Sequence, residues 1–203
     1  MNAIAPQPAL SAAVSHRPVL HVAVIGPAGH GKSALISRLL AETRAGDNAL
    51  HTPSHNILLI DDPDQSELLR DSVAGIAQAD AAVLVVDASE RKREPGLPYG
   101  HLLKLLGIRQ VVVVISKLDR INYDAGRVRE IETAIVDDLT SLGLAPGDVI
   151  AVSALDGEGL TRQTTTVEWY RPTLIEALDQ LLPAQAMRKP YVPPASMEMS
   201  SVA

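Results

Sequence analysis

The segment that most restricts what this chain can fold into is Gly26-Pro27-Ala28-Gly29-His30-Gly31-Lys32-Ser33. It follows the apolar, β-branched run Leu20 to Ile25 and leads into Ser33 to Ala41, where Leu35, Ile36, Leu39 and Leu40 recur at helical spacing. Strand, turn and helix follow one another directly, and the glycines supply backbone angles that other residues resist. The pattern is G-x-x-x-x-G-K-[ST], in which backbone N–H groups converge on phosphate oxygens and the helix N-terminus adds its partial positive charge. Gly26, Gly29, His30, Gly31, Lys32, Ser33 and Ala34 are therefore the expected phosphate-binding residues. Lys32 would span the β- and γ-phosphates, and Ser33 Oγ would hold Mg2+. The motif points to a bound diphosphate or triphosphate and leaves the base open.

The remaining chain repeats the alternation. Strand-like runs lie at Ile57 to Ile60, Ala82 to Val86, Val111 to Ile115 and Val149 to Val152. Helical spacing appears in Glu67 to Ala77, Val128 to Leu142 and Pro172 to Leu182. Apolar residues make up 46% of the chain but aromatic ones only 2%, with no Phe, so the core must be built from Val, Ile, Leu and Ala. That suits parallel strands covered on both faces. The expectation is an α/β fold of the P-loop NTPase kind: a mostly parallel sheet of about five strands sandwiched by helices, binding its ligand beyond the carboxyl ends of the strands. Residues 1–17 read as a flexible leader, 18–185 as one nucleotide-binding domain and 186–203 as a flexible tail.

Composition narrows the function classes. Without Cys there is no disulfide framework and no thiol chemistry. A formal charge of −6 argues against broad nucleic-acid or anionic-membrane binding. No run of about 18 apolar residues occurs, so no membrane span is expected and a cytoplasmic location is. His51 and His55 are separated by Pro53, which disfavours a helical metal pair and predicts exposed loop histidines. Arg91-Lys92-Arg93 reads as a solvated loop.

Three further patches follow apolar runs. Asp61 ends its strand beside the phosphate loop, where a carboxylate orders the magnesium hydration shell. Ile115-Ser116-Lys117-Leu118-Asp119 resembles the Asn-Lys-x-Asp motif of GTPases. The Asp119 carboxylate can accept from both N1–H and N2–H of guanine, while the Lys117 stem covers sugar and base. Val152-Ser153-Ala154-Leu155 is similar to the GTPase Ser-Ala-x element, in which a backbone N–H reads guanine O6. In this order they point to GTP or GDP with Mg2+.

From Val19 to about Ala184 the chain resembles the G domain of translational GTPases, the elongation factor Tu group. Leu105 to Val114, Ser116-Lys117-Leu118-Asp119, Tyr123-Asp124 and Trp169 to Leu178 resemble in particular the GTPase subunit of bacterial sulfate adenylyltransferase. This implies a stand-alone GTP-binding protein with slow Mg-dependent GTP hydrolysis. Gln65 would position the water, Lys32 would neutralise charge, and a protein partner or activator is expected. Departures accompany the resemblance. The family's Asp-x-Pro-Gly-His is Asp61-Asp62-Pro63-Asp64-Gln65 here, and Ser116 replaces an Asn whose amide would brace the phosphate loop. Only 29 positions separate Lys32 from Asp61, too few for a full first switch; Thr43 and Thr52 are the candidates for a second magnesium hydroxyl. None of the family's β-barrel domains is expected within these residues. Two alternatives stay open: a non-catalytic G domain acting as a binding or scaffold module, and a P-loop ATPase or kinase.

Overall fold

Each apolar run becomes a strand of one six-stranded sheet, and four of the strands alternate their side chains between two separate cores. The computed structural model describes residues 17–45, 49–61, 76–90, 96–163 and 172–183. The strands are β1 (Val19–Ile25), β2 (Ala49–His51), β3 (Asn56–Asp61), β4 (Ala81–Asp87), β5 (Val111–Ser116) and β6 (Val149–Ala151). Their order is β2-β3-β1-β4-β5-β6. Neighbours are parallel, except that β2 runs antiparallel to β3. The helices are α1 (Lys32–Thr43), α2 (Gly96–Leu106), α3 (Ala125–Ser141) and α4 (Leu174–Asp179), with a 3-10 turn at Leu118–Ile121.

Leu20, Val22 and Val24 of β1 pack on one face with Leu35 and Leu39 of α1 and Leu174 and Leu178 of α4. Ala23 and Ile25 face the other way, toward Leu103 of α2 and Ile131, Ile135 and Leu139 of α3. Burial of each of these Val, Leu and Ile side chains contributes about 1.5–3 kcal/mol. The apolar stripe of α3 is therefore core, as its spacing predicts. Asp124 caps α3 by accepting from the Gly126 and Arg127 N–H groups, and Thr173 with Glu176 forms a capping box on α4.

Two elements escape the periodicity argument. Helix α2 opens Gly96-Leu97-Pro98-Tyr99-Gly100. Pro98 is tolerated because it sits in the first turn, where N–H groups have no intrahelical partner. A Cβ at Gly100 would lie 2.6 Å from Leu142 Cδ1 and 3.1 Å from Leu139 Cδ2, so any larger residue there would push both leucine tips aside. Strand β2 is three residues long and makes the sheet six-stranded rather than five. The predicted helix Glu67 to Ala77 lies almost wholly outside the described residues, as do the leader, the tail, Asp64, Gln65, Arg91 to Arg93 and Trp169 to Arg171.

The turn joining β2 to β3 corrects one expectation. His51 is exposed, with Nδ1 2.8 Å from Asn56 Oδ1. His55, expected in solvent, is only 7% exposed. Thr52 is buried beside it: its Oγ1 donates to His55 O and accepts from the His55 N–H, both at 3.0 Å. Asp179 of α4 accepts from the N–H and hydroxyl of Ser54 in the same turn.

Candidate functional site

Strand register gathers the chemical residues on one edge. Val24 pairs with Asp61, Ile25 with Leu84, Asp87 with Ser116 and Ile115 with Ala151. The carboxyl ends of β3, β1, β4, β5 and β6 thus form a row, with the phosphate loop rising from its middle. Gly26 has φ 147, and a Cβ on it would sit 2.3 Å from Val85 O in the central strand β4, so no side chain fits. Gly31, at φ 93, caps α1 through Leu35 N–H donating to its carbonyl at 2.8 Å. Lys32 is buried, with Nζ donating to Gly26 O at 2.9 Å and Pro27 O at 3.2 Å. The His30 Nδ1 accepts from Asp87 N–H at 3.1 Å. Burial lowers the pKa of that ring, Asp87 opposes the shift and Lys117 adds to it, with a net depression; the imidazole is neutral at pH 7 with its proton on Nε2.

At the α1 end of the loop, Ser33 Oγ donates to Asp61 Oδ2 at 2.7 Å, and both residues are exposed. A hydroxyl and a carboxylate at this separation form a hard-oxygen donor set that fits Mg2+. Neither candidate threonine joins them. Thr43 Oγ1 bonds back to Leu39 O at 2.8 Å, ten residues along α1 and so about 15 Å from Ser33. Thr52 adjoins His51, which pairs with Asn56 and through it Val19. That is the opposite end of β1 from Gly26, roughly 23 Å away at strand rise.

The base side is tied to the phosphate loop. Ser116 Oγ lies 2.7 Å from His30 O and 3.1 Å from Val86 O, so the brace expected to be lost with Asn is supplied by a hydroxyl. Lys117, at φ 61, crosses over the loop. Its Nζ donates to Gly29 O and to Asp87 Oδ2, each at 2.5 Å, and its Cε would lie 3.7 Å from a Cβ on Gly31. Asp87 also accepts from the Ser89 N–H and hydroxyl. Burial pushes its carboxyl up, but the Lys117 bond, the Ser89 donors and the Lys117 charge outweigh that and hold it below the ordinary value. Asp119 sits in the 3-10 turn, and its Oδ1 accepts from Ser153 Oγ at 3.0 Å. Ser153 is fully buried, Ala154 half-buried, and Leu155 stands 73% exposed beside them.

The structure thus brings Gly26, Gly29, His30, Gly31, Lys32, Ser33, Ala34, Asp61, Lys117, Asp119, Ser153, Ala154 and Leu155 to one edge. Gln65 lies outside the described residues. Sequence reasoning missed Asp87, which ends its strand as Asp61 does and could have been found by the same rule. It also missed Asp156, whose Oδ2 accepts from the Tyr123 hydroxyl at 2.5 Å and lies 3.0 Å from Ser153 Oγ; nothing in the spacing marks that contact.

Comparison with known proteins agrees with this geometry. Residues 45–184 match the family described as the elongation factor Tu GTP binding domain; the phosphate loop precedes that stretch. Elongation factor 1-alpha of Pyrococcus furiosus is 30% identical over 206 residues, covering 81% of this chain and 48% of that protein. Elongation factor 1-alpha of Nanoarchaeum equitans is 35% identical over 140 residues, covering 67% of this chain and 32% of that protein. The chain thus spans less than half the length of these relatives. Among solved structures, sup35 complexed with GMPPNP superimposes with a TM-score of 0.65 at 23% identity, over 82% of this chain and 46% of that one. Translation elongation factor SelB from Methanococcus maripaludis, in complex with the GTP analogue GppNHp, gives 0.56 at 27% identity, over 70% and 31%. Loop, strand-end carboxylates and family match converge: the chain belongs to the elongation factor Tu GTP-binding domain family.

Proposed function

We propose that this domain binds GTP and GDP with Mg2+ and hydrolyses GTP slowly on its own. The observation carrying the reading is the pair of bonds from the base side to the phosphate loop, Ser116 Oγ to His30 O and Lys117 Nζ to Gly29 O. They make one rigid edge from two motifs that lie more than eighty residues apart in the chain. In this reading the N–H groups of Gly29, Gly31, Lys32, Ser33 and Ala34 cradle the phosphates, and Lys32 turns from its two loop carbonyls to the β- and γ-phosphates. Gly26 allows the turn and His30 stiffens it. Ser33 and Asp61 hold the magnesium, which supplies charge neutralisation on the phosphates. Asp119 accepts from guanine N1–H and N2–H, the Ala154 and Leu155 backbone approaches O6, and Lys117 with Leu155 flanks the ring. Gln65 orients the attacking water.

A second reading, a domain that holds nucleotide without turning it over, draws support from Thr43 and Thr52. Both are engaged far from Ser33, so neither offers its hydroxyl to the γ-phosphate side. Within the family, Leu105 to Asp119 and Trp169 to Leu178 support kinship with the GTPase subunit of bacterial sulfate adenylyltransferase, and with it a protein partner that completes the site. We read residues 18–185 as the G domain flanked by a leader and a tail. A cytoplasmic setting without direct nucleic-acid contact fits the acidic charge, and no described helix is long and apolar enough to cross a membrane.

The test is Mg-dependent binding of fluorescent GDP, GTP and ATP analogues with phosphate release followed in the same samples. Guanine-selective binding with release supports the enzyme, and binding without release supports the second reading. Lys32→Ala abolishes binding in either; retained micromolar affinity in that variant would sink both.

A further inference from the structure

Ser153 Oγ carries one proton, yet two carboxylate oxygens lie 3.0 Å from it: Asp119 Oδ1 and Asp156 Oδ2. Only one of them can hold that proton at a time. The competition is unequal because Asp156 has another donor. The Tyr123 hydroxyl reaches its Oδ2 at 2.5 Å, whereas among the described residues Ser153 is the side-chain donor that Asp119 has. The Asp156 N–H donates to Ser153 Oγ at 3.2 Å, which steadies the serine between the two acids.

Tyr123 is held in place by unusual backbone. It lies at φ 55 directly after Asn122 at φ 50, a sparsely populated conformation for side-chain-bearing residues that persists only where surroundings impose it. The Tyr123 N–H donates to Leu118 O at 3.0 Å, locking it to the turn that carries Asp119. Burial and the Asp156 bond push its phenol up to about 12, so it stays a donor at neutral pH. Its bond, followed by that of Ser153, holds the Asp156 carboxyl below its ordinary value, so Asp156 is an anion competing for the serine proton.

We propose that Tyr123 is a positioning residue for base recognition: by satisfying Asp156 it reserves the Ser153 proton for Asp119 and so fixes the carboxylate that reads guanine. The inference rests on the guanine reading of Asp119 given above. It assigns Asp156 no attractive role toward the base; without Tyr123, Asp156 draws the serine away, and Asp119 loses the bond that sets its plane.

The experiment measures GDP, IDP and ADP affinity for the full chain and for Y123F, D156A and Y123F/D156A. IDP lacks the 2-amino donor, so the GDP-to-IDP ratio reports the plane of Asp119. Y123F weakens GDP about tenfold, the effect of one hydrogen bond to a charged group, and shrinks the GDP-to-IDP preference. D156A alone stays within twofold of the unsubstituted chain, and the double variant recovers to the same range, because removing the competitor removes the need for the tyrosine. An unchanged Y123F ratio, a Y123F defect that D156A does not repair, or a tenfold loss in D156A alone overturns the inference while leaving guanine binding standing. Equal affinity of the unsubstituted chain for GDP and ADP overturns the guanine reading itself, and this inference with it.

Discussion

Thr52→Val separates a structural hydroxyl from a metal-binding one. The substitution keeps the shape of a side chain that is 2% exposed and deletes only its hydrogen bonding. His55 O still accepts from the Thr52 N–H at 2.9 Å, so the bond lost on that side is worth about 1 kcal/mol. The His55 N–H loses its acceptor inside the turn, which adds about 1–2 kcal/mol. A total of about 2–3 kcal/mol corresponds, in a domain of this size, to a fall in Tm of roughly 5–10 °C. Thermal unfolding followed by circular dichroism measures it. Thr52 stands roughly 23 Å along the sheet from Gly26, so Mg-dependent GDP and GTP affinities, measured well below Tm, stay within twofold. A variant with unchanged Tm and a tenfold loss of Mg-dependent GTP binding would refute the placement, because the hydroxyl would then be serving the ion and not the turn.

Gly26→Ala drives a Cβ against Val85 O, a backbone atom of the central strand that cannot move aside. It lowers stability by about 3 kcal/mol, read as a shift in the urea midpoint; an unchanged midpoint would mean the loop approaches β4 less closely than described. Asp119→Asn exchanges an acceptor for a donor and moves preference from guanine toward xanthine nucleotides in a competition assay; unaltered base preference would remove Asp119 from the base site. The Asp87 carboxyl is held below its ordinary value of 3.8 in the folded protein. Its contribution is therefore fully present above that pH and is lost as pH falls through the lower folded value. The stability gap between the unsubstituted chain and Asp87→Asn, measured by urea unfolding, is constant from pH 7 to 5 and narrows below about 4; a gap independent of pH would show that the Lys117 ion pair contributes nothing.

How far the chain is legible differs from element to element. Strands β1, β3, β4, β5 and β6 and helix α1 are visible because each lies in an apolar run or repeats apolar residues at helical spacing. Helix α2 is not, since Pro98 and two glycines interrupt the pattern; the reason for Gly100 lies in Leu139 and Leu142, some forty residues downstream. Strand β2, Ala49-Leu50-His51, lies in no apolar run that would mark it, and it forms by pairing along the edge of β3. The candidate site divides in the same way. The phosphate loop, Asp61, Asp119 and Ser153 can be found by motif and by their position at strand ends. Asp87 and Asp156 cannot be assigned partners until the sheet sets Lys117 and Tyr123 beside them.

Thr43, Thr52 and Ser116 mark the boundary most clearly. Residue type alone admits either threonine as a magnesium ligand and makes Ser116 a lost brace. The register of β1, β2 and β3 carries Thr52 to the far end of the sheet, and α1 carries Thr43 the same way. The approach of β5 to the loop lets a short hydroxyl reach His30 O at 2.7 Å. The alternation of elements, the phosphate loop and the strand ends that carry chemical groups are legible along the chain, because they follow from local backbone preference and hydrophobic period. Which of those groups touch is set by the fold, because a hydrogen bond depends on distances between segments that no spacing along the chain encodes.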